Sequence, residues 1–221
     1  MPPTEKARNL LIVDDHPIIV VAVKSLIETK LQGYEPHSAN TREEALELAR
    51  VLEPDLAVVD VMLPDGDGLE LIRQIKEISP NCRVLVFSMQ CELRYGPRAF
   101  RAGANGYLMK GDKVSTVVEA LEKIEAGGVY SSPALADEMM RSWGKEPTEG
   151  IDKVTDRELE VFRLIGEGHS TKEISGILKI SSKTVDSHRE NLKNKLGCAN
   201  GTELLLQARD WLSSSKRNDR N

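Results

Sequence analysis

The stretch that most limits what this chain can become is Ala57-Val58-Val59-Asp60-Val61-Met62-Leu63-Pro64-Asp65-Gly66-Asp67-Gly68. A short apolar run closed by turn residues is a strand buried on both faces. This one ends at a single aspartate. In an open parallel sheet the carboxyl edge of the strands is where ligands bind, so Asp60 stands where chemistry is expected.

The rest of the first half follows the same rhythm. Leu10-Leu11-Ile12-Val13 is a second buried run, ending at Asp14-Asp15-His16. Pro17 starts a helix to about Leu31, with Ile18, Val21, Leu26 and Ile27 expected on its apolar side. His16 reads as an exposed residue at the helix start. A weaker strand lies near Glu35–Ser38. Thr41-x-x-Glu44 is a capping box for a helix to about Leu52. A third helix spans Gly68 to Ile78. Arg83-Val84-Leu85-Val86-Phe87 is a strand ending at Ser88, and Gly106-Tyr107-Leu108-Met109 one ending at Lys110. Val114, Val117, Val118, Leu121 and Ile124 mark a last amphipathic helix, closed by Gly127-Gly128. Strands alternating with helices predict an α/β unit: a five-stranded parallel sheet flanked by helices, flavodoxin-like. Gly96-Pro97 interrupts the fourth helix, which is expected to start near Pro97 and leave Gln90–Tyr95 as loop. Asp65-Gly66-Asp67-Gly68 lacks the spacing and terminal Glu of a calcium loop and reads as turn chemistry.

At residues 131–150 the rhythm fails. Ser132-Pro133 opens at most one short helix ending near Trp143, and Gly144–Gly150 reads as a flexible linker. Beyond Val154 no strand remains. Thr155-x-x-Glu158 and Ser170-x-x-Glu173 are capping boxes, Asn200-x-x-Glu203 is a looser one, and Ser181 is a plausible N-cap. Helices are expected at about 156–166, 171–178, 182–196 and 201–212. The Lys179-Ile180-Ser181 turn between the second and third makes a helix-turn-helix, so this is an all-α four-helix unit. The domain limits are then 1–130, a linker at 131–150, a second domain at 151–215, and a disordered end at 216–221, within a polar tail from Ser213.

Composition bounds the function. No apolar run is long enough to span a membrane, and the N-terminus lacks the apolar core of a signal peptide. Cys82, Cys91 and Cys198 have no metal spacing and read as free thiols of a reducing cytoplasm. The net charge of −5 is uneven: from Ile151 onward 13 Lys and Arg face 11 Asp and Glu, leaving −7 on the remainder. An acidic front and a mildly basic back permit nucleic-acid contact by the back.

At the strand ends the pattern collects Asp14, Asp15, Asp60, Ser88 and Lys110. Crowded carboxylates repel, and a hard divalent cation such as Mg²⁺ relieves this. A carboxylate can attack phosphorus to form an acyl phosphate while a cation and a lysine neutralise the transferring oxygens.

With these motifs in place, residues 9–127 resemble a two-component receiver domain. The resemblance implies Asp60 as phosphoacceptor. It implies Mg²⁺ held by the side chains of Asp15 and Asp60, the carbonyl of Met62, and Asp14 through water. Lys110 is the phosphoryl-binding lysine. Ser88 and Tyr107 are the switch pair, the hydroxyl moving toward the phosphoryl group as the ring turns inward. Residues 154–212 resemble the LuxR-type DNA-binding domain through Thr155-x-Arg157-Glu158, Gly168-His169-Ser170-Thr171-Lys172-Glu173-Ile174, Ile180-Ser181-x-x-Thr184-Val185-x-x-His188 and Lys195-Leu196-Gly197. Together they place the chain with the NarL/FixJ class of response regulators.

In the third helix of the second unit, Val185, Leu192 and Leu196 form a core face. Polar residues on a recognition helix enter the major groove, and lysines hold phosphates. The expected DNA-binding set is Lys172, Lys183, Thr184, Asp186, Ser187, His188, Glu190, Lys193 and Lys195. Asp186 either accepts from cytosine or pairs with Arg189, the pairing being favoured. The fourth helix mediates dimerisation in that family, and Leu204, Ala208, Trp211 and Leu212 are the candidate stripe, an ordinary core face being the other reading. The expectation is a phosphorylation-dependent transcription regulator with a sensor histidine kinase, promoter DNA, RNA polymerase and, when phosphorylated, a second copy as partners. The rivals are a constitutive DNA binder and an aspartate-based phosphatase or phosphotransferase. The latter needs a second acid two residues past Asp60, where Met62 stands, so an enzyme is not expected.

Overall fold

The computed structural model describes residues 8–142 and 150–218, and the chain divides into two compact units, Met1–Arg141 and Ser142–Asn221. In the first, β1 (Arg8–Val13), β2 (Tyr34–Ala39), β3 (Leu56–Val59), β6 (Arg83–Ser88) and β7 (Gly106–Met109) form one parallel sheet in the order β2-β1-β3-β6-β7. β1, β3 and β6 lie inside the sheet, and helices cover its faces, which is why the residues of β3 and the last four of β1 are apolar and buried. Between them run α1 (Pro17–Lys30), α2 (Arg42–Leu52), α3 (Gly68–Ile78), α4 (Glu92–Ala102) and α5 (Thr116–Glu125). The core joins Leu10, Ile12, Val58, Leu85, Phe87 and Leu108 of the sheet to Val23 and Ile27 of α1 and Leu121 and Ile124 of α5.

The loop after β3 is more ordered than a simple turn. Met62–Leu63 (β4) and Gly66–Asp67 (β5) pair as a small antiparallel hairpin. Its acids cap helices: Asp65 accepts from the backbone N–H groups of Arg42 and Glu43 at the start of α2, and Asp67 from Leu69 at the start of α3. The capping box of α2 is split. Thr41 accepts from Glu44 N–H, while the Glu44 carboxylate takes the N–H of Asn40.

Four expectations are corrected. Ile18 and Val21 are 83% and 68% exposed; α1 buries Ile27 as expected, but Val20 and Val23 in their place. With hydrophobic residues nearly all round the first turns, periodicity could not choose the face; the sheet beneath did. Second, α4 starts at Glu92, with Pro97 inside it. The N–H groups of Arg94 and Tyr95 already bond to the Cys91 carbonyl. A residue before proline is normally pushed out of helix by its own Cβ, and Gly96 has none. Third, the segment after α5 belongs to the first unit: Tyr130 bridges Gly106 at the open edge of β7, and α6 (Pro133–Ser142) follows with Leu135 fully buried. The expected linker at 144–149, and Trp143, lie outside the described residues. Fourth, the last helix runs on through the expected tail to Asn218.

The second unit opens with a 3₁₀ turn at Gly150–Lys153, followed by α7 (Asp156–Gly166), α8 (Thr171–Ile177), α9 (Ser182–Leu196) and α10 (Gly201–Asn218). Thr155 and Ser170 form complete capping boxes, and Ser181 accepts from Thr184 N–H. Lys179, at φ +50°, makes the tight turn between α8 and α9. Phe162, Ile174, Val185, Leu192 and Leu204 are buried in its interior.

Gly68 is where α3 must pass closest to the Asp60 turn. A Cβ there would lie 2.4 Å from the carbonyl oxygen of Asp60 and 2.5 Å from Val61 Cα, both backbone. Gly68→Ala is expected to lower unfolding free energy by about 1–3 kcal/mol, measured by urea denaturation.

Candidate functional site

Three strand ends are held level by the sheet. Asp60 N–H bonds to Val13 O at 2.9 Å, Asp14 N–H to Ala39 O at 3.1 Å, and Lys110 N–H to Ser88 O at 2.8 Å. The register pairs Val13 with Val59 and Val59 with Val86. Side chains that follow those residues therefore converge. Lys110 Nζ lies 2.7 Å from Asp14 Oδ2 and 2.6 Å from Asp60 Oδ2, its side chain only 3% exposed. The other Asp60 oxygen, Oδ1, accepts from Ser88 Oγ at 2.6 Å and from Met62 N–H at 3.1 Å. Burial pushes the Lys110 ammonium down, but Asp60 and Asp14 outweigh it and hold its pKa above the ordinary value. Ligand atoms of Asp14, Asp15, His16 and Asp60 lie within 4.8 Å of one another, a group able to hold a cation. Asp15 is on the exposed side.

The expected front-half residues are thus brought together. Asp14, Asp60, Ser88 and Lys110 touch directly, and Asp15 closes the outer side. Tyr107 is 1% exposed and its hydroxyl donates to Gln90 O at 2.9 Å; burial pushes this phenol well above its ordinary range, so it is a neutral donor. Two participants escaped the sequence reading. His16 is more than a helix-start residue: its Nδ1 lies 2.7 Å from Asp15 Oδ1 and 3.1 Å from Asp14 Oδ1. Its place next to two acids was the available signal. Gln90 takes part through its carbonyl, which no side-chain pattern announces.

In the second unit the candidates separate. Lys172, Lys183, Thr184, Asp186 and Ser187 are exposed. Lys195 is engaged within the unit: its ammonium sits 2.6 Å from Glu158, whose side chain is 4% exposed. Burial would raise the Glu158 carboxyl, but Lys195 and the N-cap Thr155 hold it below its ordinary value. His188 is half-buried, with Nδ1 buried and unpartnered. Lys193 pairs with Glu190 at 2.7 Å. The favoured Asp186–Arg189 pairing is not formed; Asp186 accepts from the Thr171 hydroxyl at 3.3 Å. Arg189 lines a cavity of about 240 Å³ with His169, Thr171 and Thr202. Part of the candidate dimerisation stripe packs within its own unit. Leu204 and Ala208 are fully buried, and Gly166 of α7 approaches so closely that a Cβ there would meet Ala208 O and Leu212 Cδ1, each at 2.7 Å. Trp211 packs on Phe162 with ring centroids 5.6 Å apart. A helix of this length needs one apolar face to stay attached to its own domain, and this is that face.

No helix among the described residues is long and apolar enough to cross a membrane. A doubly wound sheet with an aspartate–lysine site at its carboxyl edge, joined to a helix-turn-helix unit, defines a response regulator. Residues 10–122 match the response regulator receiver domain family, and residues 152–208 match the luxR family of bacterial regulatory proteins. The chain belongs to the LuxR-family response regulators, DNA-binding transcription regulators whose family is typically switched by phosphorylation. It is 32% identical over 208 residues to the transcriptional regulatory protein MctR of Rhizobium johnstonii, covering 94% of this chain and 96% of that one. It is 31% identical over 203 residues to the response regulator GacA of Pseudomonas aeruginosa, covering 90% and 94%. Among solved structures, RcsB of Salmonella typhimurium shares the fold, with a TM-score of 0.69 at 23% identity over 95% of this chain and 98% of that one.

Two expected outcomes follow from this geometry. Lys110→Met leaves two buried carboxylates without their cation, so urea denaturation is expected to show a loss of about 3–5 kcal/mol, partly restored by added Mg²⁺. His188 is held below its ordinary pKa by burial, with Arg157 and Lys195 adding to the effect and Glu158 opposing it. The unfolded chain therefore binds the proton more readily than the folded one. Stability from this residue is full above about pH 6.5 and falls as the pH drops through the window below it. Denaturation midpoints taken from pH 7.5 to 5 are expected to fall less steeply in His188→Gln.

Proposed function

We propose that Asp60 accepts a phosphoryl group from a sensor histidine kinase, and that this modification controls promoter binding by the second unit. The observation that carries the reading is the Asp60 carboxylate, buried at the end of β3 with Lys110 on one oxygen and Ser88 on the other. An oxygen of Asp60 attacks phosphorus, the P–O bond forms as the donor's P–N bond breaks, and the imidazole remains with the kinase. The acyl phosphate places new anionic oxygens where Lys110 and Ser88 already donate. Lys110 then holds a phosphoryl oxygen as well as Asp14, and the Ser88 hydroxyl turns from Asp60 to the phosphoryl group.

The donor set fits Mg²⁺: closely spaced carboxylate oxygens, one of them facing solvent, suit a hard cation. Asp15 and Asp60 would hold it, with the Met62 carbonyl, and Asp14 through water. When bound, the ion supplies neutralisation of the phosphoryl oxygens. The receiver is the acceptor of one group and not a turnover catalyst, since Met62 offers no general acid.

On the DNA side, Lys183, Thr184 and Ser187 are exposed on α9 and are assigned to the groove. Lys172, and more weakly the Glu190-tied Lys193, are assigned to phosphates. Phosphorylation promotes a dimer whose paired α9 helices meet two half-sites. The regulator works in the cytoplasm, with RNA polymerase as the machinery it influences.

The test mixes protein with acetyl phosphate and Mg²⁺ and follows intact mass, oligomeric state and promoter affinity, in wild type and Asp60→Asn. Wild type is expected to gain one phosphoryl group, to dimerise and to bind DNA more tightly, and Asp60→Asn to do none of these. A variant that binds as tightly as treated wild type would leave a constitutive binder as the answer.

A further inference from the structure

The segment that leaves the receiver does not simply depart from it. Tyr130 is laid along the open edge of the sheet, its N–H on Asn105 O at 3.1 Å and its carbonyl accepting Tyr107 N–H at 2.9 Å. Two residues on, Ser132 caps α6, accepting from Leu135 N–H at 3.1 Å, and its hydroxyl donates to the Glu92 carboxylate at the first residue of α4. Leu135 is then fully buried, and its seat is the bare backbone of Gly96. A Cβ on Gly96 would lie 2.5 and 2.7 Å from the two leucine methyls and 3.2 Å from Cγ. The notch has no slack, and it sits inside α4 beside Pro97.

Both anchors lead back to Asp60. Ser88 Oγ donates to Asp60 at 2.6 Å and accepts from Gln90 N–H at 3.4 Å. Gln90 O takes the Tyr107 hydroxyl at 2.9 Å. Tyr107 therefore reaches the loop before α4 with its hydroxyl and the segment before α6 with its own N–H. Cys91, the N-cap of α4, and Glu92, its first residue, follow Gln90 directly.

We propose that α6 is the receiver's output lever, latched onto α4 by Leu135 in the Gly96 notch and by Ser132 on Glu92, and released when a phosphoryl group on Asp60 draws the Ser88 hydroxyl away. Once Ser88 turns, Gln90 loses its N–H partner and the α4 N-terminus moves with it. A close-packed seat cannot stretch, so a small shift of α4 unseats Leu135. The coupling is a chain of contacts with two discrete arrangements, docked and released. It rests on the reading of Asp60 as phosphoacceptor.

Hydrogen exchange read by mass spectrometry on the full chain tests it, with and without acetyl phosphate and Mg²⁺. In wild type, phosphorylation is expected to speed exchange across 134–142 by roughly tenfold, and in Asp60→Asn to change nothing. Gly96→Ala removes the notch, and Leu135→Ala removes the plug while needing no new space. Both are expected to exchange fast at 134–142 without phosphate and still to gain the phosphoryl mass. Slow exchange at 134–142 in Leu135→Ala overturns the latch. So does wild type that gains the mass and binds its promoter more tightly while 134–142 stays protected; that result leaves the phosphoacceptor reading standing. No gain of mass in wild type overturns both.

Discussion

The ammonium of Lys110, out of water and shared between Asp14 and Asp60, is the interaction on which the first unit depends. Charges in such a place cost several kcal/mol each to desolvate, and only close, well-bonded partners offset that. Here the partners come from β1, β3 and β7, which are brought level by the sheet's hydrogen bonds. The site therefore needs the sheet in register, and two carboxylates against one lysine keep it electron-rich and receptive to a cation. Gly68 belongs to the same arrangement, because only a residue without Cβ lets α3 begin against the Asp60 turn.

The second unit is organised by a division between the two sides of α9. Val185, Leu192, the half-buried His188 and the Lys195–Glu158 pair face inward, and Lys183, Thr184 and Ser187 face out. A lysine in a recognition helix is therefore not a phosphate contact by default. One that meets a buried carboxylate ties the helix to its neighbour, and its removal would leave that carboxylate uncompensated. The stripe on α10 follows the same rule: Leu204, Ala208 and Trp211 hold the helix to α7, and exposed Leu206 lies on the other side.

Much of this was legible. Buried strands read as apolar runs, and Asp60, Ser88 and Lys110 stood at their ends because strand termination is a local property. Helix starts were equally clear where a cap repeats as Thr155-x-x-Glu158 or Ser170-x-x-Glu173. The errors have a common physical origin. Ile18 and Val21 read as inward because α1 is apolar on more than one side, and only the position of the sheet chooses. Pro97 by itself predicts a helix start near that residue, and Gly96 before it lets the helix begin a turn and more earlier, at Glu92. Lys195 and Trp211 read as groups for outside partners because Glu158 and Phe162, which they meet, lie tens of residues away in the chain.

What the sequence by itself determined is the kind of each element, its approximate limits and the list of reactive groups, since these follow from side-chain period, caps and strand ends within a few residues. What only the tertiary structure decided is which of two possible faces is buried and which charges find one another: Lys110 with Asp14, Lys195 with Glu158, Leu135 with Gly96. Those choices depend on separations in space that no local pattern encodes, and the free energy of burial selects them only when the whole unit is packed.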